Sequence, residues 1–320
     1  AGHRLDLTGL MARFPAGQLL SVRPSSENTD WGGPGAILNI GMNDARYVSL
    51  CDSLGKEAAS SLYLRFVQSY AVHVARLDPD VFDDVEDAGP DALRKILIAY
   101  EAETDEVFPQ DPAEQLAAVL RSMARAWEGT TARLLRQAKG APADAGLGLV
   151  VQEMIPGLGQ GECGSGVLQL VNPKTGQPRI IGRYLSQSQG REALGAGSEA
   201  LYLERDSRGP SLEELAPEAF AQVKAHAALM RQRLREEMQV EFVIQGGQLH
   251  ILDGVRVQRS SQAAVRIAVA LAQEGIISPD EALMRVDAHV LNELLHRQVA
   301  PDAARDVIGS GIAASPGAAT

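Results

Sequence analysis

VVQEMIPGLGQGECGSGV, residues 150–167, marks a change of texture on which the reading of the fold turns. LGLVVQEMI (147–155) is a short β-type run, and VLQLVN (167–172) is another. Between them lies a glycine-rich turn with Gly157, Gly159, Gly161, Gly164 and Gly166. NPKTGQP then turns into RIIGRYL (179–185), so the stretch predicts a β-rich block with hairpin connections. Glycines let backbone N–H groups approach phosphate oxygens, which makes the run a candidate anion site. It does not open a helix, so the dinucleotide-binding fingerprint is not met, and no GxxxxGK[ST] occurs. Taken alone, such a run between two strands reads as a hairpin turn.

Upstream, QLLSVR (18–23) reads as a strand, followed by a loop rich in Pro, Gly and Asn over 24–35. Residues 45–140 carry helical periodicity; Leu116, Val119, Leu120, Met123, Ala126 and Trp127 share one face. Asp111, Pro112 and Glu114 form a helix start, with cap, proline and first-turn acid. Downstream, Ser211 with Glu214 forms a capping box that opens a long helix, with Phe220, Val223, Ala227, Met230 and Leu234 as its apolar stripe. VEFVI, the turn QGG and QLHIL form a hairpin from Val240 to Leu252. Two helices follow: one from about Ser261 to Glu274 stopped by Gly275, one starting at Ser278-Pro279 with Glu281. The tail GIAASPGAAT (311–320) is a small-residue linker. The order defines an α+β protein, divided into an N-terminal strand and loop (1–44), a helical subdomain (45–145), a β block (146–258) and a C-terminal helical pair with linker (259–320).

The 320 residues carry 41 acids against 30 bases, a formal charge of −11. An acidic chain repels phosphate backbones, which argues against nucleic acid as a partner. Cys51 and Cys163 form neither a disulfide framework nor a zinc spacing, so reduced thiols and a cytoplasmic setting are the expectation. No run of 18 apolar residues suits a membrane-spanning helix, and no signal-peptide pattern opens the chain.

Two charged residues join the glycine run as candidates. Glu241, near the start of a strand, can hold Mg²⁺ that is also bound to phosphates; the plain alternative is a solvated strand-end acid. Arg23, on a strand before a glycine-rich loop, can fork onto a phosphate; the plain alternative is a surface ion pair.

Together the segments resemble the N-terminal ATP-grasp, nucleotide-binding domain of the pyruvate phosphate dikinase family. LLSVR with AILNIGMND (36–44), then VVQEMIPGLGQGECGSGV, then VEFVIQGGQLHIL and SSQAAVRIAVALAQEGIISPDEALMRV (260–286), run collinear with that domain. The final ASPGAAT resembles the linker toward the family's phosphohistidine domain. The resemblance implies ATP with Mg²⁺ held between two lobes, and a phosphoryl group passed to a histidine on a separate swivelling domain and then to pyruvate. It implies nucleotide contacts at Arg23, Gln152, Glu153, Met154, Gly164, Ser165, Gly166 and Asp253, with Glu241 as metal ligand. Gln152 to Met154 would line the adenine slot, the backbone of Gly164 to Gly166 would hold phosphate, and residues 18–44 would pack near the cleft opposite the glycine-rich turn. The family's lysine-bearing segment would precede Ala1 and its phosphohistidine motif would follow Thr320. The six histidines, His3, His73, His226, His250, His289 and His296, carry no phosphoacceptor pattern; His250 alone lies beside the expected cleft.

The chain departs from the family at charged positions. Gln239 replaces the first acid of Asp-x-Glu-Phe, and Asp253-Gly254-Val255 replace Gln-Thr-Arg. Val171-Asn172-Pro173 replace Arg-Asp-Pro, and Arg183 replaces a glutamate. Arg256 lies one position from the lost arginine, which puts it on the opposite strand face. Losing an arginine and an acid around a γ-phosphate costs orders of magnitude in rate, at a few kcal/mol for each contact. Three readings follow: a catalytically degenerate binding or regulatory module, an active phosphotransferase in which Asp253 with Arg183 or Arg256 substitutes for lost groups, and an interaction protein whose cleft takes another ligand or a protein partner.

Overall fold

A computed structural model describes residues 5–26, 31–83, 89–190 and 199–295. The chain is an α+β protein with two antiparallel sheets among the described residues. It divides into two compact units, residues 1–172 with 178–258, and residues 173–177 with 259–320. The terminal linker, His3, His296 and part of the loop after Arg23 lie outside the described residues.

The first unit begins with a short helix, α1 (Leu7–Met11), then β1 (Leu20–Ser25) and β2 (Ile37–Ile40). Helices α2 (Asp44–Leu54), α3 (Lys56–Tyr70), α4 (Pro90–Thr104), α5 (Pro112–Glu128) and α6 (Thr130–Ala138) follow, as the periodicity predicts. Asp111 caps α5 by accepting from Ala113 N at 3.0 Å. Leu116, Val119, Met123 and Trp127 form its buried face, but Ala126 is exposed and Gln115 is buried instead. Gln115 accepts from Gly41 N at 2.8 Å and donates to Met42 O and Pro109 O at 2.9 and 2.7 Å. Its burial is therefore matched by three bonds to backbone, which is the condition for a polar group in a core.

β3 (Gly148–Glu153) is not the first strand of a hairpin. It pairs antiparallel with β1, Leu20 opposite Glu153 and Arg23 opposite Val150, giving the sheet order β2-β1-β3. The strand thus belongs to a sheet with the N-terminal segment, and the glycine-rich turn crosses between sheets. Leu20 and Val22 enter a core with Ile37, Ile40, Leu62, Phe66 and Ile96. Ser21 and Arg23 alternate to the other face and are also buried, 1% and 8% exposed.

The second sheet holds β4 (Gly164–Val171), β5 (Pro178–Ser186), β6 (Met238–Gln245) and β7 (Gln248–Arg256), in the order β5-β4-β6-β7. The hairpin β6-β7 turns at Gly246 and Gly247, φ 57° and 82°, the left-handed pair that a tight hairpin asks for. Ser211 caps the helix start, accepting from Glu214 N at 3.4 Å, and its hydroxyl, rather than its backbone N–H as in a capping box, donates to Glu214 Oε2 at 2.9 Å. The helix it opens is only α7 (Leu212–Leu215); Ala216 leaves helical geometry and Pro217 starts α8 (Pro217–Leu234). Proline lacks the N–H that would continue the ladder and disfavours α geometry in the residue before it, which explains the break. Phe220, Val223 and Ala227 of α8 pack with Leu168, Tyr184, Val240, Phe242 and Ile244 as a second core. Leu234, expected in the stripe, is 55% exposed.

The second unit contains α9 (Ser261–Gln273), α10 (Pro279–Met284) and α11 (Ala288–Leu295). Ser260 and Ser278 cap α9 and α10 by accepting from Ala263 N and Glu281 N. The start of α9 grips the turn between β4 and β5: Ser260 Oγ donates to Lys174 O at 2.7 Å and Arg266 Nη1 to Thr175 O at 3.0 Å.

Candidate functional site

One face of the four-stranded sheet is taken by α8; the other carries a row of charge. Arg183 on β5 stands opposite Val167 on β4, Val167 opposite Glu241 on β6, and Glu241 opposite Asp253 on β7. Residues opposite each other in antiparallel strands share a face, so all four lie on one side. The last pairing depends on a bulge. Phe242 faces Ile251 and Glu241 faces Asp253, so Leu252 is the extra residue. Without it, Leu252 would stand opposite Glu241. Two like charges directly opposite on a sheet repel, so this pair calls for a cation.

Arg23 supplies one. Its Nη1 donates to Glu241 Oε2 at 2.9 Å, and both side chains are more than nine-tenths buried. The pair joins the polar face of the β1 sheet to the charged face of the four-stranded sheet. Arg23 Nε is buried without a hydrogen-bond partner. The sequence singled out both residues as separate candidates; their direct contact was not visible there.

Beside this pair a cleft of about 730 Å³ opens, lined among others by Trp31, Gly32 and Gly33 on one side and by Asp253, Gly254 and Arg256 on the other. That volume falls in the usual range for small-molecule sites. Arg256 forms an ion pair with Glu236 at 3.0 Å. The role of residues 31–33 as a wall was missed; a Trp-Gly-Gly run in a loop carries no motif of its own.

The other expected contacts sit as follows. Gly164, Ser165 and Gly166 lie inside β4, laddered to β5 and β6 and buried. Close packing demands these glycines. A Cβ on Gly164 would meet Leu185 O at 2.3 Å, and one on Gly166 would meet Phe242 Cζ at 2.4 Å. Ser165 is 0% exposed and its hydroxyl bonds Ser188 Oγ at 2.6 Å. Gln152 and Glu153 lie on β3, opposite Ser21 and Leu20. Met154 is 5% exposed within the helical core, its N–H given to Leu19 O at 2.8 Å and its carbonyl accepting from Gln18 Nε2 at 3.2 Å. Gln239 faces Gln169 and Val255, and His250 faces Val243, on the same side as Glu241.

Among the described residues, no group of three or more His, Cys, Asp and Glu could hold a metal by itself. Glu241 and Asp253 are two adjacent carboxylates, the number that fits Mg²⁺ when phosphates and water complete its shell. No described helix is long and apolar enough to cross a membrane.

The geometry defines an α+β protein with a charge-lined cleft beside the junction of two antiparallel sheets. No model of a known protein family matches the chain. It is similar to the pyruvate, phosphate dikinase of Rhizobium meliloti (strain 1021), 34% identical over 94% of this chain and 36% of that protein. The pyruvate, phosphate dikinase of Clostridium symbiosum is 31% identical over the same shares. The chloroplastic enzyme of that name from Flaveria trinervia is 28% identical over 94% of this chain and 33% of its own length. The chain is a relative of the pyruvate, phosphate dikinases and spans about a third of their length.

Proposed function

We propose that this chain is an ATP-grasp-like nucleotide-binding domain whose phosphoryl-transfer machinery has been replaced, and that it acts as a binding or regulatory module. The observation that carries this reading is the buried Arg23–Glu241 pair at 2.9 Å. The arginine suited to a phosphate and the acid suited to a metal neutralise each other. Breaking such a buried pair costs about 3–5 kcal/mol, so a phosphate does not draw Arg23 away cheaply. With Gln239 in place of the family's first acid, Arg23 and Arg183 balance Glu241 and Asp253, so the row offers no net positive charge and a nucleotide entering the cleft brings its own Mg²⁺. Bound Mg²⁺ would screen the phosphate charge, and Asp253, which lines the cleft, would hold it, with Glu241 reaching it only if the ion pair with Arg23 opens. The two free cysteines suit a reducing, cytoplasmic setting. The test is calorimetric titration with Mg-ATP and Mg-ADP, run beside an assay for phosphate release and for phosphorylation of an added phosphohistidine domain. The reading expects micromolar binding without transfer. ATP hydrolysis or a phosphorylated histidine would overturn it.

A second reading, an active phosphotransferase acting on a histidine of a separate domain, draws support from the Leu252 bulge. The bulge brings Asp253 opposite Glu241 and so rebuilds an acid pair without Gln239. Arg183 stands in the same row. On that reading Asp253→Asn abolishes histidine phosphorylation; transfer at the wild-type rate would remove it from consideration.

A further inference from the structure

The helical layer of the first unit carries a second groove, of about 400 Å³, that shares no residue with the Asp253 cleft. α2 and α4 both pack on α3, and the groove runs between them with the buried rings of Tyr63 and Phe108 as its floor. Pro90, Arg94, Leu97, Ile98 and Glu101 of α4 line one wall. That spacing is a single helical face, so a stripe of three turns, about 16 Å long, faces the groove. Ala92, Ile96 and Tyr100 anchor another face of α4 in the core. Val48 on α2, Ile98 and Val107 stand 64%, 61% and 69% exposed around the groove. Large apolar side chains exposed together and rimmed by polar groups mark an interaction surface. The opposite wall is fixed in advance: Gln110 accepts from Asp44 N at 2.9 Å and donates to Tyr63 Oη at 3.1 Å, and Tyr63 Oη donates to Asp44 Oδ1 at 3.0 Å. At one end of the stripe residues 101–106 read EAETDE. Glu101, Glu103, Asp105 and Glu106 are exposed and form no ion pair among the described residues. Asp105 N to Glu101 O at 2.9 Å and Thr104 Oγ1 to Tyr100 O at 2.7 Å hold these acids in a set turn. Arg94, the cation lining the groove, pairs with Asp91 at 3.5 Å.

We propose that this groove docks an amphipathic helix of a partner protein, its apolar side chains against Val48, Ile98 and Val107, and its lysine or arginine side chains facing the acidic turn. Two observations choose this occupant. A stripe three turns long suits an elongated segment laid along α4, whereas a compact ligand needs only one turn. The acids held at its end match a basic segment and repel an acidic one. Apolar contact supplies the affinity, as in other helix-in-groove pairs, and the charge selects the partner. A groove already built loses little freedom on binding. The proposal stands apart from the nucleotide reading, because none of its residues lines the Asp253 cleft.

The test uses the full chain and a fluorescein-labelled synthetic peptide with leucine at helical spacing and lysine between, beside a twin with glutamate for every lysine. Binding is read by fluorescence anisotropy. The proposal expects the lysine peptide to bind, more weakly as salt rises, and the glutamate twin to be refused. Ile98→Ser/Val107→Ser and Glu103→Lys/Glu106→Lys should each lower that affinity at least about tenfold. Glu218→Lys/Asp280→Lys, which changes the net charge equally at exposed sites elsewhere, should leave it unchanged. All these positions are exposed, so each variant should keep the native urea midpoint; if the serine pair does not fold, the lysine pair still decides. No binding, equal binding of both peptides, or an equal loss in the control pair overturns the proposal. So does self-association of the native chain, read by sedimentation, that the serine pair abolishes, because the groove then belongs to a second copy.

Discussion

At the scale of single residues, glycines of one short segment do two different jobs. Gly157 and Gly159 shape a turn, whereas Gly164 and Gly166 make room for rings. Tyr184 and Phe242 stack at 6.2 Å between centroids, on the core side of the sheet. Gly166→Ala would place a methyl 2.4 Å from Phe242 Cζ and 2.9 Å from Arg183 O. Overpacking against backbone and a fully buried ring costs about 3 kcal/mol, to be read as a lower urea midpoint. A phosphate-contact role would instead change ligand affinity and leave the midpoint in place. Tyr184 gives a pH signature. Burial pushes its pKa up from 10.0, and the neighbouring Glu162 carboxylate, to which it donates, pushes it further. A raised folded pKa means that stability is intact below pH 10 and declines as pH rises beyond it. Tyr63 is also raised, first by burial, and burial takes Tyr100 to about 12. Urea midpoints should therefore fall above pH 10, with a shallower fall in Tyr184→Phe. Arg23 and Glu241 were legible in the sequence because an arginine on a strand before a glycine-rich loop and an acid near the start of a strand invite attention. The purpose of Gly164 and Gly166 was not, because a glycine needed beneath a ring and one needed beneath a phosphate look the same in one dimension.

At the scale of elements, the helices were legible and the strand partners were not. Caps and periodicity are local, so Asp111, Ser211 and Ser278 could be read directly as helix starts, and the helix placed from about Ser261 is capped by Ser260. The pairing of β1 with β3 joins distant segments and leaves no local trace. The Leu252 bulge has none either, yet it decides which residue stands opposite Glu241. Pro217 was a readable break that the longer stripe through Phe220 and Leu234 obscured. Two substitutions test how the elements are held. Gln115→Leu would strand Gly41 N, Met42 O and Pro109 O, at about 1–3 kcal/mol for a buried unsatisfied group; a drop of at least about 3 kcal/mol in unfolding free energy is expected. Phe220→Ala, emptying a site 2% exposed between α8 and the sheet, should cost about 3–5 kcal/mol and leave the helical core around Phe66 folded, as seen by its own protease-resistant fragment.

At the scale of the whole molecule, the first unit holds two separate hydrophobic cores, one beneath each sheet. Two polar links join the segments of the two sheets: the Arg23–Glu241 pair and the reciprocal amides of Asn39 and Gln189 at 3.2 and 3.1 Å. A polar junction leaves room for a charged ligand at its margin, which is where the cleft with Asp253 and Arg256 opens. The net charge of −11 disfavours a bare anionic ligand, and on the proposed reading Mg²⁺ offsets the charge of one that enters the cleft. The most direct test is therefore calorimetric titration of the intact chain with Mg-ADP, against the same titration of Asp253→Asn. Asp253 lies in the cleft and is only half-buried, so this variant leaves the buried ion pair in place. Micromolar binding to the native chain, weakened at least about tenfold in the variant, a difference of about 1.4 kcal/mol, is the result the account predicts. No heat at millimolar Mg-ADP, or equal binding by both proteins, would contradict it.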